Sequence, residues 1–211
     1  MSGMKTPDDI VANPFALPTK WRFDNIPKMM EMLKINDTGF WGMLFNSIYF
    51  SVIGAFFSAS CTAMLAYVTC KYKFPGSGAY FIASLITMIL PIYGTGGSMY
   101  LLLDKLGLLN SRLMIITSFS GIGVYYMYFY AFFQNVSNTY AEAARIDGAG
   151  DYTIFFRVMF PQAFPMFGAI FLMIWMAEWN NYSTALLYLN ELPTLSVGIY
   201  PVSYTHLTLP T

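Results

Sequence analysis

YAEAARIDGAGDYTIFFRVMFPQAFP, residues 140–165, is a charged and glycine-punctuated segment between two strongly apolar stretches of the chain. Charges are scarce elsewhere, with only eleven Lys and Arg and eleven Asp and Glu among 211 residues. The segment holds Glu142, Arg145, Asp147, Asp151 and Arg157. It has neither cysteine nor histidine, so the charges indicate neither a thiolate metal centre nor a histidine-based catalytic site. Contact with another protein or with lipid headgroups is the remaining explanation.

Local signals in and beside this segment predict two short helices joined by a glycine corner. Thr139 followed by Glu142 fits the capping box, in which each side chain bonds the other residue's backbone amide. Gly148 can adopt the left-handed conformation that ends a helix. Asp151 can cap a second short helix, before Pro161 either stops that helix or starts the next apolar stretch. The alanines, charges and phenylalanines indicate a docking surface for another protein, and an amphipathic loop at the headgroups is the alternative.

The composition excludes an ordinary soluble domain. Hydrophobic residues make up 56% of the chain, aromatic residues 18% and charged residues 10%, whereas typical soluble domains carry about 25% charged residues. The net charge of zero gives no electrostatic attraction for nucleic acid, so no such partner is predicted. Cys61 and Cys70 lie inside one apolar run and are interpreted as buried bystanders. Because no Walker-type phosphate loop is present, the chain is not predicted to hydrolyse ATP.

Four stretches are long and apolar enough to cross a bilayer, which requires about 20 mostly apolar residues per helix. They cover approximately residues 40–70, 79–103, 113–135 and 162–189. Each must be helical in lipid, because every backbone polar group has to be satisfied within its own segment. The predicted fold is therefore all-α: a polytopic helical membrane protein with four transmembrane helices and a helix–turn–helix loop at 138–161. Residues 1–38 are predicted to form an extramembrane arm.

Three of these spans carry patterns with two interpretations each. The first has small or hydroxylated residues on one helical face: Ser47, Ser51, Ala55, Ser58, Thr62 and Ala66. This face favours close helix packing, and a substrate-lining role is the alternative. In the second, Pro91 and Tyr93 lie in the segment ILPIYGTGGSM, which predicts a broken helix that either packs or lines a cavity. The third carries VYYMYFYAFF, residues 124–133, whose aromatic side chains fit either an interfacial belt or sugar contacts.

Glu178 is the one charged residue in the fourth span. Trp175, Glu178, Asn181 and Tyr182 follow the spacing of a single helical face. An intramembrane carboxylate is costly and usually faces a polar interior. A milder alternative is an interfacial residue that reaches water at the end of the span. The candidates for a substrate pathway are Pro91, Tyr93, Glu178, Asn181 and Tyr182.

The charged segment resembles the EAA loop of ABC importer permeases. That pattern is Glu-Ala-Ala, three residues, Gly, nine residues, and then Ile, any residue, Leu and Pro. This chain has Glu142-Ala143-Ala144, Gly148, Val158, Phe160 and Pro161 at the matching positions. Val158 and Phe160 keep the apolar character of Ile and Leu. Further phrases match the carbohydrate-uptake, maltose-permease-like group in order: FNSIYFS (45–51), DKLGLLNS (104–111), WNN (179–181) and LPTLSVGI (192–199).

The resemblance implies a permease subunit of an ATP-driven importer for a sugar or oligosaccharide, multi-pass in the cytoplasmic (inner) membrane of a bacterium. Its loop would insert into a cleft of a cytoplasmic ABC ATPase dimer. That dimer binds the ATP, so the chain itself is expected to be no enzyme and to hold no cofactor. Other expected partners are a second permease subunit, an extracytoplasmic solute-binding protein and membrane lipid. The implied coupling residues are Glu142, Ala143, Ala144, Arg145, Asp147, Gly148, Phe155, Phe156 and Pro161.

The group usually has six spans, which leads to the expectation of one further span before Met1 and another after Ile199. Residues 39–190 would form the transmembrane domain, and a cytoplasmic loop would make the arm 1–38 extracytoplasmic. Residues 191–211 are predicted to be a C-terminal remnant, whose last ten or so residues, including His206, are foreign to the family. Two other functions stay open: a secondary transporter with Glu178 as proton relay, and a non-transporting truncated fragment.

Overall fold

The structure is a computed structural model that describes residues 27, 30, 33–72, 74–90, 96–119 and 121–199. Most of these residues are helical, in agreement with the predicted helical class. The α-helices are α1 (Phe40–Ile48), α2 (Gly54–Lys71), α3 (Ser77–Ile89), α4 (Gly96–Lys105), α5 (Val124–Asn135), α6 (Thr139–Ile146), α7 (Asp151–Thr153), α8 (Phe160–Trp179) and α9 (Tyr182–Tyr188). A 3-10 helix covers Arg112–Ser118, and π-helical turns cover Tyr49–Ile53 and Ile154–Met159.

The first long helix runs from Phe40 to Lys71 through α1, the π-helical turn Tyr49–Ile53 and α2. Its 32 residues extend over about 48 Å, more than the roughly 30 Å hydrocarbon core of a bilayer. No proline interrupts it, and Tyr72 leaves the helix with extended backbone angles. The helix covers the predicted first span, residues 40–70.

The second long helix runs from Asp151 to Trp179 and has 29 residues. It joins α7, the π-helical turn Ile154–Met159 and α8, so the predicted separate short helix ending at Pro161 is wrong. The amide of Phe160 bonds to Phe155 O, the wide hydrogen bond of a π-turn. Pro161 therefore follows a turn that is already widened and sits in the first turn of α8, where proline is tolerated. The helix then continues through Pro165.

The predicted spans 79–103 and 113–135 are not continuous helices in the described chain. Helix α3 ends at Ile89 and Leu90 is extended, because a residue that precedes proline avoids helical angles. The third span begins as a 3-10 helix and becomes α-helical only at Val124, after Gly123 with φ 110°. The part of the chain that the structure describes thus has two helices long and apolar enough to cross a membrane. Pro91 and Tyr93 lie outside the described residues.

The Cα positions divide the chain into two compact units, of which the first comprises Met1–Ser47 and Tyr182–Thr211. Its described part contains a hairpin that the sequence did not predict, formed by β1 (Lys34–Ile35) and β2 (Thr38–Gly39). Asn36 has φ 52° in the two-residue turn, a conformation that asparagine tolerates better than most residues. The described part of the chain is therefore helical with one small hairpin.

Buried polar contacts hold the C-terminal described segment within this first unit. Asn46 Nδ2 donates to Pro193 O at 3.2 Å, and Leu195 N donates to Ser47 Oγ at 2.7 Å. Pro193 and Thr194 are buried. The described residues 191–199 of the predicted remnant are therefore packed, and residues 200–211, including His206, lie outside the described chain.

The second unit, Ile48–Asn181, is centred on α2, which packs against α5 and α8. All six residues of the predicted small-residue face are buried, as are Ala59 and Ala63, and this confirms the helix-packing interpretation. Small side chains let neighbouring helices approach closely. The space is filled by aromatic residues, and Tyr126, Phe129 and Phe133 of α5 are fully buried. These members of the predicted aromatic cluster therefore belong to the core.

Enlarging one side chain of this face should destabilise the helix packing. Ala63 has 0% exposure, so we expect Ala63→Leu to lower the free energy of unfolding by about 2 kcal/mol through overpacking. Ala169, an exposed alanine of α8, provides the matched control, because Ala169→Leu adds the same atoms outside the core. Thermal unfolding in detergent measures both variants. Equal unfolding temperatures would contradict the close approach of the helices at Ala63.

Candidate functional site

Helix α6 begins without the predicted capping box. Thr139 is its first helical residue, and Asn138 occupies the N-cap position with helical backbone angles and no side-chain cap bond. A capping side chain needs an extended N-cap backbone, so Asn138 is in the wrong conformation. Its Oδ1 instead accepts a bond from Lys71 Nζ at 2.8 Å. Ser137 Oγ accepts from Thr139 N at 3.2 Å, a contact that the sequence analysis missed.

The glycine corner after α6 has the predicted conformation. Gly148 has φ 81°, which is the left-handed region that glycine adopts without strain. Its amide donates to Arg145 O at 3.0 Å, and the amide of Ala149 donates to Ala144 O at 2.9 Å. These two bonds form a Schellman motif, which satisfies carbonyls that the helix end would leave unpaired. The corner is therefore a hydrogen-bonded helix end with a left-handed glycine.

Asp151 is not an N-cap. It is the first residue of α7, and Gly150 precedes it with extended angles. The carboxylate accepts a bond from Tyr72 Oη at 2.8 Å and from Arg145 Nη2 at 3.1 Å. The Arg145 guanidinium also lies 5.6 Å from the centre of the Tyr72 ring, within cation–π range. The hydrogen bond to Asp151 has the largest effect on the Arg145 guanidinium and raises its pKa above the ordinary value. A hydrogen bond to Tyr72 raises that pKa further.

The implied coupling residues divide into an exposed and an inward-facing set. Glu142, Ala143, Arg145, Asp147, Gly148, Phe156 and Pro161 are exposed, whereas Ala144 is half-buried. Phe155 is only 6% exposed and its ring lies 4.9 Å from the Tyr67 ring. Phe155 thus packs within this chain and not on the exposed surface of the loop, and its implied role in coupling stays a prediction. Successive residues of a helix point about 100° apart, so Phe155 can face the core while Phe156 faces outward.

Two exposed apolar residues were missed among the candidates. Ile146 is 87% exposed and Tyr152 is 78% exposed, and they lie on the two sides of the glycine corner. Ala141 and Ala144 pack against the core cluster, so their three-residue spacing marks the inner face of α6. Ile146 lies two residues beyond Ala144, on the opposite face. The sequence alone therefore carried a signal for Ile146 as a contact residue: an apolar side chain on the face of α6 opposite to Ala141 and Ala144.

The predicted substrate-pathway residues do not share a continuous helical face. Helix α8 ends at Trp179 with Asn180 as its C-cap, and Tyr182 starts α9. Asn181 therefore lies between helices, and it hydrogen-bonds with the half-buried Glu178 side chain. Trp175 Nε1 donates to Ser51 Oγ at 3.2 Å, and Ser51 lies within the π-helical turn Tyr49–Ile53. In the described part of the chain, no group of three His, Cys, Asp or Glu could hold a metal ion.

Two long apolar helices, with an exposed charged loop at the start of one of them, are consistent with a helical membrane protein. The sequence identifies it further. The chain belongs to the family of binding-protein-dependent transport system inner membrane components, whose model matches residues 58–205. It is thus an inner-membrane component of a transport system.

Curated relatives and a solved structure agree with this family. The diacetylchitobiose uptake system permease protein NgcG of Streptomyces coelicolor is 31% identical over 86% of this chain and 59% of its own length. The arabinooligosaccharides transport system permease protein AraQ of Halalkalibacterium halodurans is 27% identical over 76% of this chain and 58% of its own. The chain thus spans less than two thirds of these relatives.

A crystal structure of a bacterial ABC transporter involved in the import of the acidic polysaccharide alginate has a chain of the same fold. The TM-score is 0.80 at 23% identity, over 99% of this chain and 72% of that one. At this identity the likeness concerns the fold alone.

The different environments of Phe155 and Phe156 predict different effects of truncation. Phe155→Ala removes a buried ring beside Tyr67 and should lower the free energy of unfolding by about 3 kcal/mol. Phe156 is 55% exposed, so Phe156→Ala should leave stability close to wild type. Thermal unfolding of the isolated chain in detergent tests the pair. Destabilisation by Phe156→Ala alone would reverse our assignment of the two faces.

Proposed function

We propose that this chain is the permease subunit of an ATP-binding-cassette importer, and that it carries a sugar or oligosaccharide across the cytoplasmic membrane by alternating access. The observation that carries the proposal is the EAA-like loop, whose bonded corner at Gly148 presents exposed Glu142, Ala143 and Ile146. The relatives' names support the substrate class, because NgcG and AraQ are named for the uptake of diacetylchitobiose and arabinooligosaccharides.

The loop is proposed to dock on a cytoplasmic ATPase dimer, which binds and hydrolyses the ATP. Ile146 and Tyr152 offer apolar surface for such contact, and Glu142, Arg145 and Asp147 offer charges that fix the register. Phe156 adds a further exposed ring. Closure of the ATPase would move the docked loop, and the continuous helix Asp151–Trp179 would move with it, because no joint at Pro161 absorbs the motion.

The membrane arrangement in this proposal has four crossings in the chain, with the loop in the cytoplasm. Each of the two long helices would cross the membrane as one continuous helix. The stretches 79–103 and 113–135 would cross as broken helices, which are tolerated where they are buried in protein or line a cavity. A second permease subunit would share the translocation cavity, and an extracytoplasmic binding protein would deliver the substrate.

A side chain with a Cβ at Gly148 should disturb docking without preventing membrane insertion. At φ 81°, Gly148→Val is strained by about 1–2 kcal/mol, and relief of the strain would tilt α6 relative to α7. We expect normal membrane insertion, weaker association with the ATPase and loss of ATP-driven uptake. Co-purification of the ATPase and uptake of radiolabelled sugar in proteoliposomes provide the measurements.

Gly150 supplies a matched control for this experiment. It is also exposed, and a Cβ at either glycine would meet no atom within 4 Å. Its backbone is extended with φ −72°, so Gly150→Val should be tolerated. If both variants support wild-type association and uptake, the loop is only an amphipathic surface segment and the proposed docking role is wrong.

Glu178, Asn181, Tyr182, Pro91 and Tyr93 remain the proposed residues of the substrate pathway. A carboxylate near the end of an apolar helix is expected to face a polar interior. Glu178→Gln keeps the shape and removes the charge, so we expect altered sugar uptake by an importer that still assembles. Uptake assays across several sugars, beside co-purification of the subunits, test this. Wild-type uptake of every sugar would favour an interfacial carboxylate over a pathway residue.

A further inference from the structure

The end of the first long helix touches the chain on both sides of helix α6. Lys71 is the last residue of α2, and Tyr72 follows it with an extended backbone. Lys71 reaches the start of α6, and Tyr72 reaches its end. Neither residue belongs to the EAA-like pattern, and both lie at least 60 residues away from it along the chain.

Lys71 binds the segment between α5 and α6. Its ammonium donates to Val136 O at 2.6 Å and to Asn138 Oδ1 at 2.8 Å. Val136 is the C-cap of α5 and Asn138 the N-cap of α6. One charged group thus joins the end of α2 to the end of one helix and the start of the next. Hydrogen bonds from a charged donor are stronger than neutral ones.

Tyr72 binds the other side of the loop through Asp151 and Arg145. Its hydroxyl donates to Asp151 Oδ1 at 2.8 Å, and its ring lies under the Arg145 guanidinium at 5.6 Å. Arg145 and Asp151 also pair with each other at 3.1 Å, although their side chains are 51% and 64% exposed. Exposed pairs contribute little singly. Here three groups contact one another, so displacement of one disturbs two contacts.

We propose that Lys71 and Tyr72 form a two-point clamp that holds α6 against the end of α2 and makes them positioning residues for coupled transport. This inference rests on the proposed docking of the loop. Apart from the clamp, α6 is tied to the spans through its own chain ends and through Ala141 and Ala144, which pack against the core cluster. Through the clamp, a force on α6 also reaches α2, the helix against which α5 and α8 pack.

The test uses the assembled importer with its ATPase and the double variant Lys71→Met, Tyr72→Phe. These changes remove the ammonium and the hydroxyl and retain most of the apolar bulk. Hydrogen exchange of the α6 amides reports the clamp, and sugar transported per ATP hydrolysed reports the coupling. We expect exchange in α6 to become about tenfold faster through easier local opening and transport per ATP to fall, while the ATPase still co-purifies.

Matched controls separate the clamp from general damage. Lys105→Met and Tyr128→Phe make the same chemical changes at exposed positions of α4 and α5, and neither should alter the readouts. In the protein with Tyr72 intact, Lys71→Met should weaken the coupling. Lys71→Arg retains a charged donor, so it should keep much of the coupling that Lys71→Met loses.

The outcomes decide the clamp and the proposed function separately. Unchanged exchange in α6 of the double variant would overturn the clamp. Faster exchange with wild-type transport per ATP would overturn its role in coupling and leave the proposed function standing. A wild-type chain that associates with no ATPase and transports no sugar would refute the proposed function, and hydrogen exchange in the chain would still decide whether the clamp exists.

Discussion

Close packing against the small-residue face of α2 is the constraint on which the second unit depends. Lipid offers apolar side chains the same environment as a protein interior, so hydrophobic burial drives helix association weakly in a bilayer. The close fit between helix surfaces must therefore supply the stability of the packed helices. Ala55, Ala59, Ala63 and Ala66 have no exposed surface, and the aromatic rings of α5 and α8 occupy the space that they leave. The exposed loop follows from this packing, because α5 and the helix Asp151–Trp179 carry its two ends.

The sequence was most informative where local chemistry determines the conformation. Gly148 was predicted correctly because a left-handed helix end depends on the absence of a Cβ, whatever the rest of the fold does. The small-residue face was predicted because its spacing matches one side of a helix. The extent of the first span also follows from composition alone.

Predictions failed where a distant residue competes for the same group. Thr139 and Glu142 have the spacing of a capping box, but Lys71 draws the neighbouring Asn138 side chain away and the chain there is already helical. Asp151 could cap a helix, yet Tyr72 and Arg145 bind its carboxylate. Such contacts join residues 67 and 79 positions apart, so no local pattern reveals them.

Two π-helical turns interrupt the regular α-helical spacing, one within each of the two long helices. Each wide turn shifts the side chains that follow it by part of a turn relative to an α-helix. Phe155 faces the core and Phe156 faces outward, because successive helical residues point about 100° apart. The helix continues through the turn Ile154–Met159 and past Pro161. The chain therefore changes direction at the glycine corner and not at Pro161. Across that corner the Arg145–Asp151 pair ties α6 to the helix that ends at Trp179. Under the proposed function, a displacement of α6 is therefore transmitted along one continuous helix of 29 residues, whose last turn contains Glu178.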